Sequence, residues 1–349
     1  MNASMILREW YRMSFAAKLI AWQRRHGRRG LPWQATRDAY RIWLAEIMLQ
    51  QTRVEAVIPY YERFLERFPD VRSLARASQD EVLRLWSGLG YYARARNLHA
   101  AAQLVVRERG GRFPDAPREL AALPGVGRSS AAAIAAFAYR RRAAILDGNA
   151  RRVLARCFGA QGERRLWRLA ERLLPARAIR TYTQALMDLG ATLCSRADPQ
   201  CARCPVAAQC VARREGRIAE LPAPRRRRAL AVKRVKWLVL LYRGSVLLER
   251  RPPTGVWGGL WTFPELSGGS AREYCRRALG CEVRRTRALA PVEHGFTHFR
   301  LRAVPSLCEV RALAPGVQAP GRMWLDVADA VHAAVPAPVR SLLLALLRN

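Results

Sequence analysis

The stretch Leu123-Pro-Gly-Val-Gly-Arg-Ser129-Ser-Ala131 sets two glycines, Gly125 and Gly127, between segments of helical composition. Glycine reaches the left-handed dihedrals and the close backbone approach that a tight hairpin needs. The following run, residues 131–138, is alanine-rich and forms helix readily. Its first turn aims free amides and the positive end of the helix dipole outward, which suits a phosphate. The expectation is a helix-hairpin-helix over about residues 118–139. Contacts through Gly125, Val126, Gly127, Arg128 and Ser130 would fix position along a phosphate backbone and read no sequence.

Outward from the hairpin, apolar residues recur at three- and four-residue intervals over 39–58, 80–86, 91–107, 129–139, 149–158 and 181–193, predicting helices. Residues 1–222 therefore read as an all-α domain. A polar, proline-marked linker follows at 223–234 and contains an arginine run at 225–228. Beyond it, β-branched and aromatic residues predict strands at 235–248 (around a turn at Gly244), 256–263 and 299–310. With one helix at 271–279, residues 235–349 read as an α+β domain.

No apolar run approaches the length of a membrane span, and the first thirty residues lack a signal-peptide pattern, so a reducing, non-membrane setting is expected. The formal charge is +34, which favours a polyanionic partner through counterion release. Only Lys18, Lys233 and Lys236 are lysines, so arginine supplies almost all of that charge, as a GC-rich genome also would.

Cys194, Cys201, Cys204 and Cys210 follow a C-x6-C-x2-C-x5-C spacing within seventeen residues. So dense a set of thiols in a reducing compartment points to metal before disulfides. A compact four-thiolate loop suits an iron–sulfur cluster with one thiolate per iron; a zinc knot or separate buried thiols are the other readings. Cys275, Cys281 and Cys308 read as ordinary buried thiols.

Two carboxylates have separable candidate roles, with a plain helix cap for Asp147 and a solvent-facing position for Glu46 as the other readings. Asp147 directly precedes a predicted helix, where a cap role would favour its anion. Glu46 lies in an apolar helix, with Gln50 one turn beyond on the same face. If Glu46 faces a pocket, burial raises its pKa, and a protonated and an anionic carboxyl together can cleave a glycosidic bond.

The hairpin, the Asp twenty residues beyond Gly127 and the four-cysteine loop together resemble the endonuclease III superfamily of DNA glycosylases. Within it, AEIMLQQT (residues 45–52), GLGYYARARNLH (88–99), Ser129 and the second domain resemble the MutY family, over nearly the whole chain. The resemblance implies one [4Fe-4S] cluster on the four cysteines and a monovalent cation at the hairpin. It implies that Glu46 protonates the base of an extruded adenine, that Asp147 stabilises the sugar cation, and that Asn149 supports them. Gln51 and Tyr91 would enter the base stack, with Gln50, Thr52, Arg94 and Arg96 on the DNA.

The superfamily's lyase members carry a lysine where this chain has Ser129, and no lysine lies between Lys18 and Lys233, so simple base removal is expected. The second domain is similar to a Nudix fold. Arg276 and Arg277 take the places of metal-binding glutamates, so nucleotide hydrolysis is not expected. The segment His294-Gly-Phe-Thr-His298 is similar to the family's reading loop, implying that Phe296, Thr297 and His298 recognise 8-oxoguanine.

The implied substrate is double-stranded DNA with adenine opposite 8-oxoguanine or guanine. A monomer is expected, in the bacterial cytoplasm and at the nucleoid when acting, with an organelle or nucleus as the other placements. The competing readings are an endonuclease III-like pyrimidine glycosylase/lyase, a non-catalytic DNA-binding iron–sulfur protein and a nucleotide-pool hydrolase.

Overall fold

The computed structural model describes residues 3–223, 229–314 and 320–348, with side chains from Ser14 onward. The arginine run at 225–228 lies outside the described residues. The chain forms two compact units, Met1–Arg76 with Asn97–Arg226, and Ala77–Arg96 with Arg227–Asn349. No helix among the described residues is long and apolar enough to cross a membrane.

The first unit is helical. In chain order it holds α1 (Ala3–His26), α2 (Ala39–Leu49), α3 (Val54–Arg67) and α4 (Val71–Arg76). Helix α5 (Gln79–Trp86) and the first turn of α6 (Ala93–Arg109) belong to the second unit. The first unit resumes with the rest of α6, α7 (Pro117–Leu120), α8 (Arg128–Tyr139), α9 (Gly148–Phe158), α10 (Glu163–Arg172), α11 (Ile179–Thr192) and α12 (Val211–Arg214). Phe15, Trp43, Tyr61, Phe64, Phe68 and Tyr182 are fully buried in it. Each such side chain contributes roughly 1.5–3 kcal/mol of hydrophobic stabilisation.

Two sequence expectations give way here. The helix expected at 39–58 breaks after Leu49 and restarts at Val54, with Gln51 in the left-handed region at φ 60°. The apolar period continues across the break, so periodicity could not show it. Residues 77–96, expected in the all-α domain, pack instead with the C-terminal unit. Ser87 Oγ donates to the Val335 carbonyl at 2.8 Å, Arg250 pairs with Asp80 at 2.7 Å, and Arg96 donates to the Gly258 carbonyl at 2.7 Å.

The second unit is built on one mixed sheet. Its strands are β1 (Ala231–Tyr242), β2 (Ser245–Arg250), β3 (Trp261–Thr262), β4 (Cys281–Ala288), β5 (Val292–Gly295), β6 (Phe299–Leu313) and β7 (Arg322–Asp326). The order is β3-β2-β1-β6-β4, with β5 on β6 and β7 on β2; β1 and β6 run parallel in register from Ala231/Phe299 to Leu241/Glu309. Helix α13 (Ala271–Leu279) contributes Cys275 and Leu279 to a core with Leu238, Leu240, Leu247, Cys281 and Cys308. Helices α14 (Val327–His332) and α15 (Ala337–Leu347) close the chain. The strand expected at 256–263 shrinks to β3, because Gly255, Trp257 and Gly259 all take positive φ and turn the backbone.

Candidate active site

Helix α2 is buried on almost every side: Ile42, Trp43, Leu44, Ala45, Ile47 and Met48 are all core residues. Glu46 is only half-buried, and its side chain lines two cavities. One, of about 360 Å³, is walled by Arg28, Trp33, Ile42, Phe137, Gln184 and Met187 among others. The other, of about 760 Å³, is lined by Gln50, Gln51, Thr52, Ser129, Ser130, Asp147, Asn149 and Arg152 among others. Burial, and then the nearby Asp147 carboxylate, push the Glu46 carboxyl up to about 8, so it holds its proton at neutral pH.

Asp147 caps α9 as its position predicts, accepting the Ala150 amide at 2.9 Å. Contrary to the expectation of a lowered value, burial raises its pKa; the amides of Ala150 and Asn149 and the Arg152 guanidinium pull it back. Arg152, absent from the sequence reading, organises the surroundings. It donates to Asn149 Oδ1 at 2.8 Å and to the carbonyls of Gly190 at 2.6 Å and Cys194 at 2.7 Å. Gly190 permits this crossing: a Cβ there would lie 2.5 Å from Asn149 Cβ.

Asp188 shapes the polar wall of the smaller cavity. Fully buried, it accepts from Arg28 Nε at 2.7 Å, Arg28 N at 3.0 Å, and Gln23 and Gln184 Nε2 at 2.9 Å each. Four donors satisfy a carboxylate that would otherwise be costly to bury. Sequence gave no cue to this network, because its members lie up to 165 residues apart.

The expected metal ligands meet: Cys194, Cys201, Cys204 and Cys210 line one small cavity with Cys157, Arg156, Arg213 and apolar side chains. Arg156, nearly fully buried, donates to Cys194 Sγ at 3.4 Å and to the Ser195 carbonyl at 2.7 Å. A hydrogen bond from Cys157 is the main reason the Cys210 thiol is lowered to about 6. Among the described residues, no group of three or more His, Cys, Asp or Glu is arranged to hold a single metal ion.

Gln50 donates to the Gly125 carbonyl at 3.2 Å and to Ser130 Oγ at 3.3 Å, inside the hairpin. Arg128 stacks on Trp167, 3.8 Å from its ring centre, and pairs with Glu171 at 2.5 Å.

In the second unit Tyr91 is exposed at φ 50°, and its hydroxyl meets Thr297 Oγ1 at 3.4 Å. Arg94 does not present itself to a phosphate. It is buried, its guanidinium lies over the rings of Trp86 and Tyr91, and it donates to the Gly90 carbonyl at 3.2 Å. Arg96 is half-buried and engaged with the Gly258 carbonyl. Phe296 stacks on Phe299 at 4.4 Å and meets His294 at 4.8 Å and Trp257 at 5.5 Å, while Thr297 and His298 are exposed.

The comparisons agree across both units. Residues 44–176 match the family model described as HhH-GPD superfamily base excision DNA repair protein, and residues 236–345 match a NUDIX domain. The adenine DNA glycosylase of Buchnera aphidicola from Acyrthosiphon pisum is 31% identical over 338 residues, covering 94% of this chain and 96% of the relative. That of Mus musculus is 34% identical over 391 residues, covering 92% of this chain and 76% of the relative. Among solved structures, a thermostable thymine-DNA glycosylase aligns with TM-score 0.56 at 29% identity, over 60% of this chain and 99% of its own. A non-covalent endonuclease III–DNA complex aligns with TM-score 0.52 at 18% identity over 62% of this chain and 99% of its own, a likeness of fold.

Proposed function

The chain belongs to the adenine DNA glycosylases, the MutY family of base-excision repair, and from that premise we propose that it removes adenine paired with 8-oxoguanine or guanine by hydrolysis alone. The observation that carries this reading is Glu46, a protonated carboxyl between two cavities, with Asp147 lining the larger one. A reacting adenine must leave the stack, since its atoms are inaccessible within it. The smaller cavity, at about 360 Å³, falls in the ~300–1,000 Å³ range of ligand pockets and would take the extruded base. Glu46 would then protonate the base as its bond to the sugar breaks. Asp147, an anion at the amide end of α9, would stabilise the sugar cation until water adds. Ser129 supplies no amine, so no Schiff base forms.

The four loop thiols, with Cys157 and two arginines lining the same cavity, fit an iron–sulfur cluster, since soft thiolates are its ligands and the guanidiniums offset its negative charge. Cys194, Cys201, Cys204 and Cys210 would hold a [4Fe-4S] cluster whose role is to order the loop on α9; base removal itself needs no electron. Carbonyls of the hairpin would hold a monovalent cation. In the second unit, Phe296, Thr297 and His298 would read 8-oxoguanine, with Tyr91 as a wedge that replaces lost stacking. Helix α13 pairs Glu273 with Arg277 at 3.0 Å, and with Arg276 and Arg277 in the places of metal-binding glutamates it would support no nucleotide hydrolysis.

Incubation with duplexes carrying adenine opposite 8-oxoguanine, guanine or thymine tests the reading. The first two should yield alkali-labile abasic sites and no borohydride-trapped adduct. Cleavage without alkali, or abundant trapping, would favour a lyase.

A further inference from the structure

Two neighbouring serines at the start of α8 each grip the carrier of a different carboxylate. Ser129 Oγ accepts the Leu146 amide at 2.9 Å, one residue before Asp147. Ser130 Oγ accepts from Gln50 Nε2 at 3.3 Å, and the same amide group donates to the Gly125 carbonyl at 3.2 Å. Gln50 caps α2, the helix of Glu46, one turn beyond the acid. Six consecutive residues, Gly125 to Ser130, thus include the hairpin glycines and the acceptors for both catalytic arms.

We propose that Ser129 and Ser130, acting with Gln50, are positioning residues that tie the DNA-gripping hairpin to the placement of Glu46 and Asp147. The inference rests on the roles assigned above to those two carboxyls. Leu146 is buried, so its amide must find an acceptor within the fold, and the Ser129 hydroxyl is that acceptor. At Ser130 the hydroxyl and the Gly125 carbonyl share one donor, so the end of α2 is fastened to the hairpin at two points. A backbone pressed onto the hairpin therefore bears on both arms through direct hydrogen bonds. Displacement of a reacting group by ~1 Å is enough to cost ~10²-fold in rate, so small slack at these bonds matters.

The full chain, loaded with its cluster, is the material for the test. Single-turnover rates are measured on an adenine:8-oxoguanine duplex, and dissociation constants on the same duplex with a non-hydrolysable adenosine analogue. Ser129→Ala, Ser130→Ala and Gln50→Leu should each lower the rate roughly tenfold, a larger factor than any loss of affinity. Ser130→Ala combined with Gln50→Leu should be no worse than Gln50→Leu alone, since losing the glutamine already removes the Ser130 bond. Ser129→Thr and Ser130→Thr, which keep the hydroxyl, should restore the rate and serve if an alanine variant fails to fold. Rates unchanged by the alanine variants, no rescue by threonine, or affinity falling in step with rate would each overturn the proposal, the last by making the serines plain phosphate ligands. A parent chain that leaves every adenine mispair intact would instead sink the glycosylase reading itself.

Discussion

In the helical unit Asp147 is fixed by its cap hydrogen bond and Glu46 by its place on a buried helix, whereas Phe296 in the second unit is fixed by rings. Around the carboxyls stand Arg152, Asn149, Ser129 and the four-donor Asp188 site. Around Phe296 stand Phe299, His294 and Trp257, the last with a backbone at φ 54° that non-glycine residues seldom adopt. Hydrogen bonds set direction and protonation, which bond cleavage demands. Stacked rings set a plane and tolerate small slides, which suits shape recognition of a base.

The comparison breaks first at the carboxyls. Asp147→Asn or Glu46→Gln should lower the single-turnover rate by at least ~10²–10⁴-fold while duplex binding survives. If either keeps most of the rate, electrostatic fixing is not what the cleft supplies.

Acidity sharpens the same point. Because Glu46 must be protonated and is pushed up to about 8, the rate should fall above that pH; because Asp147 must be ionised, it should also fall on the acid side. The raised Glu46 value carries a stability signature too. Its contribution is whole below its unfolded value of 4.5 and is lost as pH climbs to about 8, by up to ~1.4 kcal/mol per unit. Melting curves of Glu46→Gln and the parent should therefore diverge as pH rises, with the variant the more stable at pH 8.

Next comes Asp188→Asn. Leaving the Arg28 guanidinium without its buried anion should destabilise the helical unit by about 3 kcal/mol, read as a lower urea midpoint with unchanged slope. Phe296→Ala should be milder, removing about 1–3 kcal/mol of stacking, so the preference for 8-oxoguanine over guanine shrinks while cleavage of adenine:guanine persists. The smallest effect is expected at Arg128→Ala, whose exposed pair with Glu171 is worth at most about 1 kcal/mol in thermal melts.

What the sequence disclosed was local. The hairpin needs two glycines in nine residues, the cysteine loop spans seventeen, and Asp147 announces itself as a cap by preceding its helix. The parts that stayed hidden are made between distant positions. Arg152 reaches Cys194 across 42 residues, and Gln23 reaches Asp188 across 165. Cys157 gave no spacing signal beside the other four thiols, since it arrives on α9 from outside their loop. Arg94, a cation near an exposed tyrosine, resembles a phosphate ligand in sequence, but its guanidinium lies over Trp86 and Tyr91 in the fold. Period alone could not place the break at Gln51, where one left-handed residue ends a helix whose pattern runs on.

The unit that contains Phe296 and Thr297 borrows twenty residues from the middle of the chain. A fragment starting at Arg227 would lack the partners of Val335, Arg250, Gly258 and Thr297, all supplied from 77–96. Transplanting or deleting the C-terminal piece is thus not a clean cut. Domain-exchange chimeras between relatives should keep Ala77–Arg96 and Arg227–Asn349 from the same parent, or they will join a tyrosine from one ancestor to a threonine's neighbourhood shaped for another.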